Sequence, residues 1–322
     1  MVLAEDERDT SVSDATILDP EIPLNSATLP KPSARTTTLL IGVLCMIWGS
    51  TWLVIKEGLR DLPPLTSAGL RFFTAFLVLV LVAPILRTRE GGMAPPRWLW
   101  ISSGLTNFAI SYGIVYVSET VLPSSLVSVL WAVFPLLVAV AAHHFLPGEK
   151  MSVRQGIGMS LGFFGIVLLF ATDLTDLGPE AAPMALFLLL SPTVSVIGTI
   201  IVKRYGTHTS SVLLNRNGMG IGAAALLTAA AVFERNVSIR WTPAAIGSIA
   251  YLAIAGTAVT FSLYFWLLRF APANRIALIA FVTPCIALVL GTAVAEEPVT
   301  RFTVAGTSLV VAGVALVVVR RR

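Results

Sequence analysis

The sequence predicts an all-α membrane protein with ten transmembrane helices, arranged as an inverted repeat of five plus five. Three observations lead to this fold class: the composition, the length of the uncharged runs, and a pattern that recurs in the two halves of the chain. Hydrophobic side chains make up 56% of the 322 residues and charged side chains only 12%. That is more apolar surface than a soluble domain can bury, so the chain is expected to lie in lipid.

The apolar runs have the length that a membrane-crossing helix requires, which is about 20 residues. Each run is continuously apolar, whereas a strand of a membrane β-barrel alternates every second residue, so helices are predicted. We number the runs span 1 to span 10. They cover residues 36–55, 62–86, 98–118, 120–146, 155–172, 181–202, 210–233, 241–268, 276–295 and 302–319.

Residues 1–35 differ in kind from the rest of the chain. They hold seven carboxylates against Arg8, Lys31 and Arg35, with few large apolar side chains. This composition predicts a disordered acidic tail. The tail has no basic start followed by an apolar core, and its acidity is unlike that of a transit peptide, so we expect span 1 to direct insertion.

The basic residues predict the orientation. Ten spans place both termini on the same side, and assigning that side to the cytoplasm puts twelve basic residues of the loops and the C-terminus there. This bias predicts a multi-pass protein with both termini and the acidic tail in the cytoplasm. The opposite loops hold five basic residues: Lys56, Arg60, Arg235, Arg240 and Arg301.

A repeat relates the two halves of the chain. The run "LPSSLVSVLWAVFP" at 122–135 and the run "APANRIALIAFVTP" at 271–284 keep two prolines at the same separation, in spans 4 and 9. Lys56 at the end of span 1 matches Lys203 at the end of span 6. Because five is odd, a second set of five spans enters the membrane upside down relative to the first, as in many carriers. The predicted repeats are residues 36–172 and 180–320.

Four segments carry a resemblance to a known family. They are "IWGSTWLVIK" at 47–56, "LPPLTSAGLRF" at 62–72, the segment from "VFPLL" to "IVLLF" at 133–170, and the segment from "VTPCI" to "GVALV" at 282–317. In this order the chain resembles the ten-helix members of the drug/metabolite transporter (DMT) superfamily, which have two EamA-type domains. The resemblance implies an inverted five-plus-five fold, a central cavity near the midplane, and export of small metabolites, often amino acids.

Three prolines interrupt spans 4, 6 and 9 near their middles: Pro135, Pro192 and Pro284. An interior proline removes one main-chain donor and bends a helix. In lipid such breaks are tolerated where they face protein or a wet cavity. We interpret the three as hinges around the substrate path; packing alone is the alternative, since proline is common in membrane helices.

Neutral polar and aromatic side chains inside the spans are the candidate walls of a cavity. Ser103, Asn107 and Ser111 recur every four residues and therefore share one face of span 3. Hydroxyls, one amide and rings suit a zwitterion or a flat aromatic metabolite; alternatively the Ser and Thr hydroxyls bond to their own backbone or to other helices. The predicted substrate-binding residues are Trp48, Ser50, Asn107, Ser111, Tyr112, Trp131, Ser191, Thr260, Tyr264 and Phe281.

Arg71 and Arg216 are the lone cations inside spans 2 and 7. Their long side chains can reach lipid headgroups, so we predict gates or interface anchors; binding of a substrate carboxylate is the alternative. Small-residue motifs in spans 5, 7 and 10 predict close helix contact, within one chain rather than across a strong dimer. We therefore expect a monomer or a weak dimer.

Several classes of function are disfavoured. No phosphate-binding GxxxxGK[ST] motif is present, and the pair His143-His144 has no further ligands at metal-site spacing. No carboxylate lies deep in a predicted span, and we interpret Glu149 and Glu296-Glu297 as structural caps. We expect no cofactor, no metal, no catalytic residue and no nucleic-acid partner. Together with the resemblance, the repeat leads to the hypothesis of a secondary exporter of amino acids or related metabolites in a bacterial-type inner (plasma) membrane, which works by alternating access. The nearer alternative is a drug or nucleotide-sugar transporter. From other classes, the alternatives are an intramembrane enzyme, for which the spans offer no catalytic cluster, and a membrane sensor that does not transport.

Overall fold

The computed structural model describes residues 32–122, 124–170, 179–295 and 301–318, and these ranges are mostly helical. Each predicted span corresponds to one helix or to a stacked series of helices. The unbroken helices are Ala34–Gly58, Pro64–Glu90, Val153–Phe170, Ala181–Tyr205, Ser211–Phe233 and Arg301–Val318, for spans 1, 2, 5, 6, 7 and 10. Within the described residues, five segments are by length and composition long and apolar enough to cross a membrane: Ala34–Gly58, Pro64–Arg87, Ala181–Tyr205, Ser211–Phe233 and Pro243–Phe270.

Spans 3 and 8 each contain a π-helical segment, which is a widened helical turn that is common at functional sites. Span 3 consists of Arg97–Ser103, the π-helix Gly104–Ile110 and Ser111–Val121. Span 8 consists of Pro243–Ala253, the π-helix Ile254–Val259 and Thr260–Phe270. The third helix of each half therefore carries the same irregularity.

Spans 4 and 9 are both broken. Span 4 consists of Ser124–Trp131 and Phe134–Phe145, and span 9 of Ala273–Ala277 and Ile279–Ala295. Pro135 lies in the first turn after the break in span 4, whereas Pro284 lies inside the longer helix of span 9 and Pro192 inside span 6. All three prolines are buried, so they face protein. A role as hinges stays a prediction.

Reciprocal caps show that the two halves are inverted. The carboxylate of Glu90, at the end of span 2, accepts hydrogen bonds from the main-chain N–H groups at the start of span 7. The carboxylate of Glu234, just past the end of span 7, accepts from the main-chain N–H groups of Leu65 and Thr66 at the start of span 2, at 2.7 and 2.8 Å. Spans 2 and 7 therefore lie antiparallel, each capped by the other. Two equivalent helices can lie antiparallel in this way only if the second half is turned over relative to the first.

The adjoining loops repeat this relation. Met93 donates its main-chain N–H to the carbonyl of His208 at 2.9 Å, and Arg240 donates to the carbonyl of Asp61 at the same distance. The two lysines also correspond, as predicted. Lys56 donates to the carbonyl oxygens of Glu119 and Leu122 at the end of span 3, and Lys203 donates to those at the end of span 8.

Glycines bring spans 5 and 10 together. Gly165 lies against the carbonyl oxygen of Gly306, and Gly313 lies against the main chain of Gly158. These pairs run in opposite directions along the two helices, so spans 5 and 10 are antiparallel as well. The prediction of close contact within one chain is confirmed here.

Candidate functional site

A cavity in which the centres of water-sized molecules can occupy about 70 Å³ lies among spans 1, 3, 4, 6, 8 and 9. Both halves of the chain contribute to its wall. It is lined by Trp48, Thr51, Trp52, Ile55, Asn107, Tyr112, Val115, Trp131, Phe134, Ser195, Thr199, Phe261, Tyr264, Ile276, Ala277, Ile279, Ala280 and Thr283. None of these side chains is charged.

Aromatic rings dominate the wall and pack against one another. The ring of Trp48 lies 5.4 Å from that of Phe261 and 5.5 Å from that of Tyr264, between ring centroids. Trp52 of span 1 and Trp131 of span 4 form another pair, with 6.1 Å between their ring centroids. Such tilted and edge-on pairs are the arrangements that ring quadrupoles favour, so the rings support one another as a stable apolar surface.

The polar groups of the wall are neutral. The Asn107 amide is held by two serines: its oxygen accepts from Ser195 at 3.2 Å, and its nitrogen donates to Ser103 at 3.3 Å. The indole nitrogens of Trp52 and Trp131 are buried and have no hydrogen-bond partner among the described residues. A buried donor without a partner is unfavourable, so these two N–H groups are available to a ligand with an acceptor.

Five of the ten predicted binding residues line this cavity: Trp48, Asn107, Tyr112, Trp131 and Tyr264. Their contact with a substrate stays a prediction. Trp48, Asn107, Tyr112 and Trp131 come from the first half of the chain, and Tyr264 comes from the second.

The other five do not line this cavity, and their contact with a substrate stays a prediction as well. Ser111 and Ser191 hydrogen-bond to each other at 3.0 Å and join spans 3 and 6. The Ser50 hydroxyl lies 2.6 Å from that of Tyr251, away from the cavity. Thr260 is buried outside the lining, and Phe281 packs in a separate small core with Met159 and Val310.

The sequence analysis missed several lining residues. Thr51 and Trp52 immediately follow the predicted Trp48 and Ser50 in span 1. Ser195 and Thr199 continue the four-residue spacing that begins at Ser191 in span 6. That spacing was the available signal, because residues four apart share one face of a helix.

Arg71 lies behind the cavity wall and is only 1% exposed. Its guanidinium donates from Nε to the hydroxyl of Thr257 at 2.7 Å and from Nη2 to the carbonyl of Gly256 at 3.0 Å. A weaker bond, at 3.4 Å, joins Nη1 to the hydroxyl of Tyr116, and the guanidinium carbon lies 4.7 Å from the ring centre of Tyr112. The side chain does not reach the surface in this arrangement, and the predicted role of Arg71 as a gate or interface anchor stays a prediction.

Arg216 occupies a different environment. It is half-buried and donates from Nε to the side-chain oxygen of Asn217 at 3.0 Å. Arg71 is the eighth residue after its helix cap, Pro63, whereas Arg216 is the sixth after Ser210. The two cations therefore lie at different distances from their helix caps and contact different neighbours.

An ion pair joins two helices at one end of the bundle. Lys203 forms an ion pair with Glu149 at 3.5 Å, and the other carboxylate oxygen of Glu149 accepts from the main-chain N–H of Ala273 at 2.7 Å. Glu149 thus ties span 6 to the start of span 9. Its predicted role as a structural cap is confirmed, while Glu296 and Glu297 lie outside the described residues.

A buried carboxylate lies at the end of span 3. Span 3 continues past the predicted end to Val121, and Glu119 in its last turn is 0% exposed. This agrees with the expectation that no carboxylate lies deep in a span, but the burial of Glu119 was not predicted. Its position at the polar boundary of an apolar run is typical of an exposed side chain.

An all-helical bundle of two inverted halves that enclose a shared neutral cavity defines a membrane transporter of the carrier class. The profile of the EamA-like transporter family matches residues 36–171 and 182–319, one match in each half. The chain belongs to this family, within the drug/metabolite transporter superfamily.

Similar proteins cover most of the chain. The uncharacterized transporter YvbV of Bacillus subtilis is 30% identical over 89% of this chain and 92% of its own length. A probable amino-acid metabolite efflux pump of Escherichia coli is 26% identical over 87% of this chain and 94% of its own length. A solved crystal structure superposes with a TM-score of 0.76 at 16% identity, over 89% of this chain and 97% of that one, which supports the fold.

Proposed function

We propose that this transporter exports small metabolites, with neutral and aromatic amino acids as its substrates. The observation that carries the proposal is a cavity lined by aromatic rings and neutral polar groups, with no charged side chain among the described lining residues. Similarity to an amino-acid metabolite efflux pump supports the substrate class.

The wall offers partners for both charges of a zwitterion. The free indole N–H groups of Trp52 and Trp131 can donate to a carboxylate. An ammonium group is attracted to the faces of Trp48 and Tyr264, because an aromatic ring presents negative charge on its face. The remaining rings accommodate an apolar or aromatic side chain.

The cavity disfavours strongly anionic substrates. A nucleotide sugar needs cations to balance its phosphates, and neither Arg71 nor Arg216 lines the cavity. A neutral aromatic drug fits the same wall, so it is the second candidate, and the transport assay below distinguishes it from an amino acid.

The protein is proposed to act as a monomer or weak dimer in the inner membrane, without enzymatic turnover. It is proposed to work by rocking its two halves about hinges near Pro135, Pro192 and Pro284.

Counterflow into proteoliposomes tests the substrate class. Liposomes that contain the purified full-length protein are loaded with unlabelled phenylalanine, and uptake of labelled neutral, aromatic, basic and acidic amino acids is compared. We expect exchange of the neutral and aromatic group. Equal exchange of lysine and glutamate, or exchange of none of the panel while a neutral aromatic drug is transported, contradicts the proposal.

Two tryptophan variants test the site. Trp131→Ala removes a ring and a donor from the wall, whereas Trp98→Ala removes a ring that is 51% exposed and packs on Tyr205 away from the cavity. Loss of a buried aromatic contact in a binding site costs about 2 kcal/mol or more, which is roughly 30-fold in affinity. We expect Trp131→Ala to raise the substrate concentration needed for half-maximal transport roughly 30-fold. We expect Trp98→Ala to leave that concentration unchanged. Equal effects of the two would show that Trp131 does not contact the substrate.

A further inference from the structure

Glu119 differs from three carboxylates that cap helices elsewhere in the described part of the chain. Glu90, Glu149 and Glu234 each accept hydrogen bonds from main-chain N–H groups of a neighbouring helix. The side chain of Glu119 is fully buried, and neither of its carboxylate oxygens has a hydrogen-bond partner among the described residues. An ionised carboxylate is strongly unfavourable in such a position, while a protonated one is not.

Two cations are close enough to interact electrostatically with the Glu119 carboxylate, but both form hydrogen bonds with other groups. They are Lys56 of span 1 and Arg71 of span 2. The ammonium of Lys56 donates to the main-chain carbonyls of Glu119 and Leu122. The guanidinium of Arg71 donates to Tyr116, Gly256 and Thr257. Neither cation therefore forms an ion pair with this carboxylate in the present arrangement.

Among the described residues, the other elements packed on this end of span 3 bring no competing charge close to Glu119. Ser124–Trp131 of span 4 contains no titratable side chain. On span 6, Glu180 is exposed at the start, and Lys203 and Arg204 lie at the opposite end of that helix. On span 1, Glu57 is 44% exposed and pairs with Arg60. On span 3 itself, the hydroxyl of Tyr116 lies one turn before Glu119 and accepts from Arg71.

Arg71 connects this region to the cavity wall. It donates to the carbonyl of Gly256 in the π-helix of span 8, and the same carbonyl accepts from the indole nitrogen of Trp48 at 3.4 Å. Its guanidinium also lies over the ring of Tyr112. Trp48 and Tyr112 both line the cavity, so any movement of Arg71 changes what holds two lining residues.

We propose that Glu119 is a proton-binding site whose ionisation draws Arg71 away from span 8 and thereby changes the cavity wall. In the arrangement described, the carboxyl group is neutral. When water reaches the end of span 3, the O–H bond breaks, the proton passes to water, and the carboxylate takes Arg71 as its partner. The bonds from Arg71 to Gly256 and Thr257 are lost in this step. This inference does not depend on which substrate the transporter carries.

Infrared difference spectroscopy between acid and alkaline pH tests the site with the proton itself as ligand. The full-length protein is reconstituted in lipid as wild type, as Glu119→Gln and as Glu57→Gln. Glutamine has nearly the same shape as the protonated acid but cannot ionise, and Glu57 is a matched control at a neighbouring helix end. We expect the wild type to show the carbonyl band of a buried protonated carboxylic acid at neutral pH. The band should be lost in Glu119→Gln and retained in Glu57→Gln.

Tryptophan fluorescence tests the connection to the cavity. The emission of the wild type should change with pH as the contact of Trp48 with Gly256 changes. The change should be lost in Glu119→Gln and in Trp48→Phe and kept in Glu57→Gln. A carboxylic acid band that persists in Glu119→Gln would overturn the proton site, and so would a Glu119→Gln protein that fails to fold. A pH-dependent emission change that persists in Glu119→Gln would overturn the coupling through Arg71. Failure of amino-acid counterflow alone would bear only on the proposed substrate.

Discussion

The contact of spans 5 and 10 allows a substitution to be worked through from distances. A methyl group added at Gly165 would lie 2.7 Å from the carbonyl oxygen of Gly306 and 2.8 Å from both the Cβ of Leu309 and the main-chain nitrogen of Val310. Favourable contacts of carbon with other heavy atoms begin at about 3.5 Å. The methyl group therefore meets three atoms of span 10 at once, and two of them are main-chain atoms that no side-chain rotation can move.

Gly165→Ala must force the two helices apart by roughly 0.5 to 1 Å along this face. Overpacking of this kind costs about 1–3 kcal/mol, and we expect the free energy of unfolding to fall by that amount. The measurement is reversible unfolding in mixed micelles of detergent and a denaturing surfactant, followed by circular dichroism.

Gly42→Ala is the matched control. Gly42 lies in a helix as well, but a methyl group there would have no atom within 4 Å. Alanine is favoured over glycine inside a helix by up to about 1 kcal/mol, so this variant should be as stable as the wild type or more so. If Gly165→Ala proves as stable as Gly42→Ala, the close antiparallel contact of spans 5 and 10 is not what holds them together.

Two further predictions concern the caps and the orientation. Glu234→Gln removes the charge that caps span 2, where the carboxylate accepts two main-chain N–H bonds and one hydroxyl bond from Thr66. We expect the free energy of unfolding to fall by about 1–2 kcal/mol in the same assay. An unchanged free energy would show that the cap is not formed in lipid. A reporter that is active only in the cytoplasm, fused after Arg322, should be active in cells because the basic loops predict that both termini are cytoplasmic; an inactive cytoplasmic reporter paired with an active external one would reverse the orientation.

The large-scale architecture was readable from the sequence because it depends on patterns that repeat over many residues. Ten apolar runs, the proline spacing shared by spans 4 and 9, and the pair Lys56 and Lys203 are all periodic or matched features. Their physical basis is simple: lipid requires long apolar helices, and a duplicated set of five places corresponding residues in corresponding contacts. The lysines show this at atomic level, since both bond to carbonyls that end the third helix of their own half.

The details of the site depend on which helix face meets which neighbour, and spacing alone does not determine this. Asn107 and Ser111 lie four residues apart in sequence, yet only Asn107 lines the cavity, because a π-helical segment between Gly104 and Ile110 turns the helix. Ser111 meets Ser191 of span 6 instead. Arg71 was expected at the membrane surface because a lone cation in an apolar span is costly. Its burial depends on Tyr116 and Thr257, which are distant in sequence and close only after folding.

The head-to-tail caps at Glu90 and Glu234 have a mechanical consequence. Spans 2 and 7 are fastened to each other at both extremities, so sliding or splaying them apart would strip charged oxygens from main-chain donors at two places simultaneously. The two helices are therefore expected to move together as one rigid unit. Because span 2 belongs to the first half and span 7 to the second, the proposed rocking of the two halves would have to pivot about this capped pair.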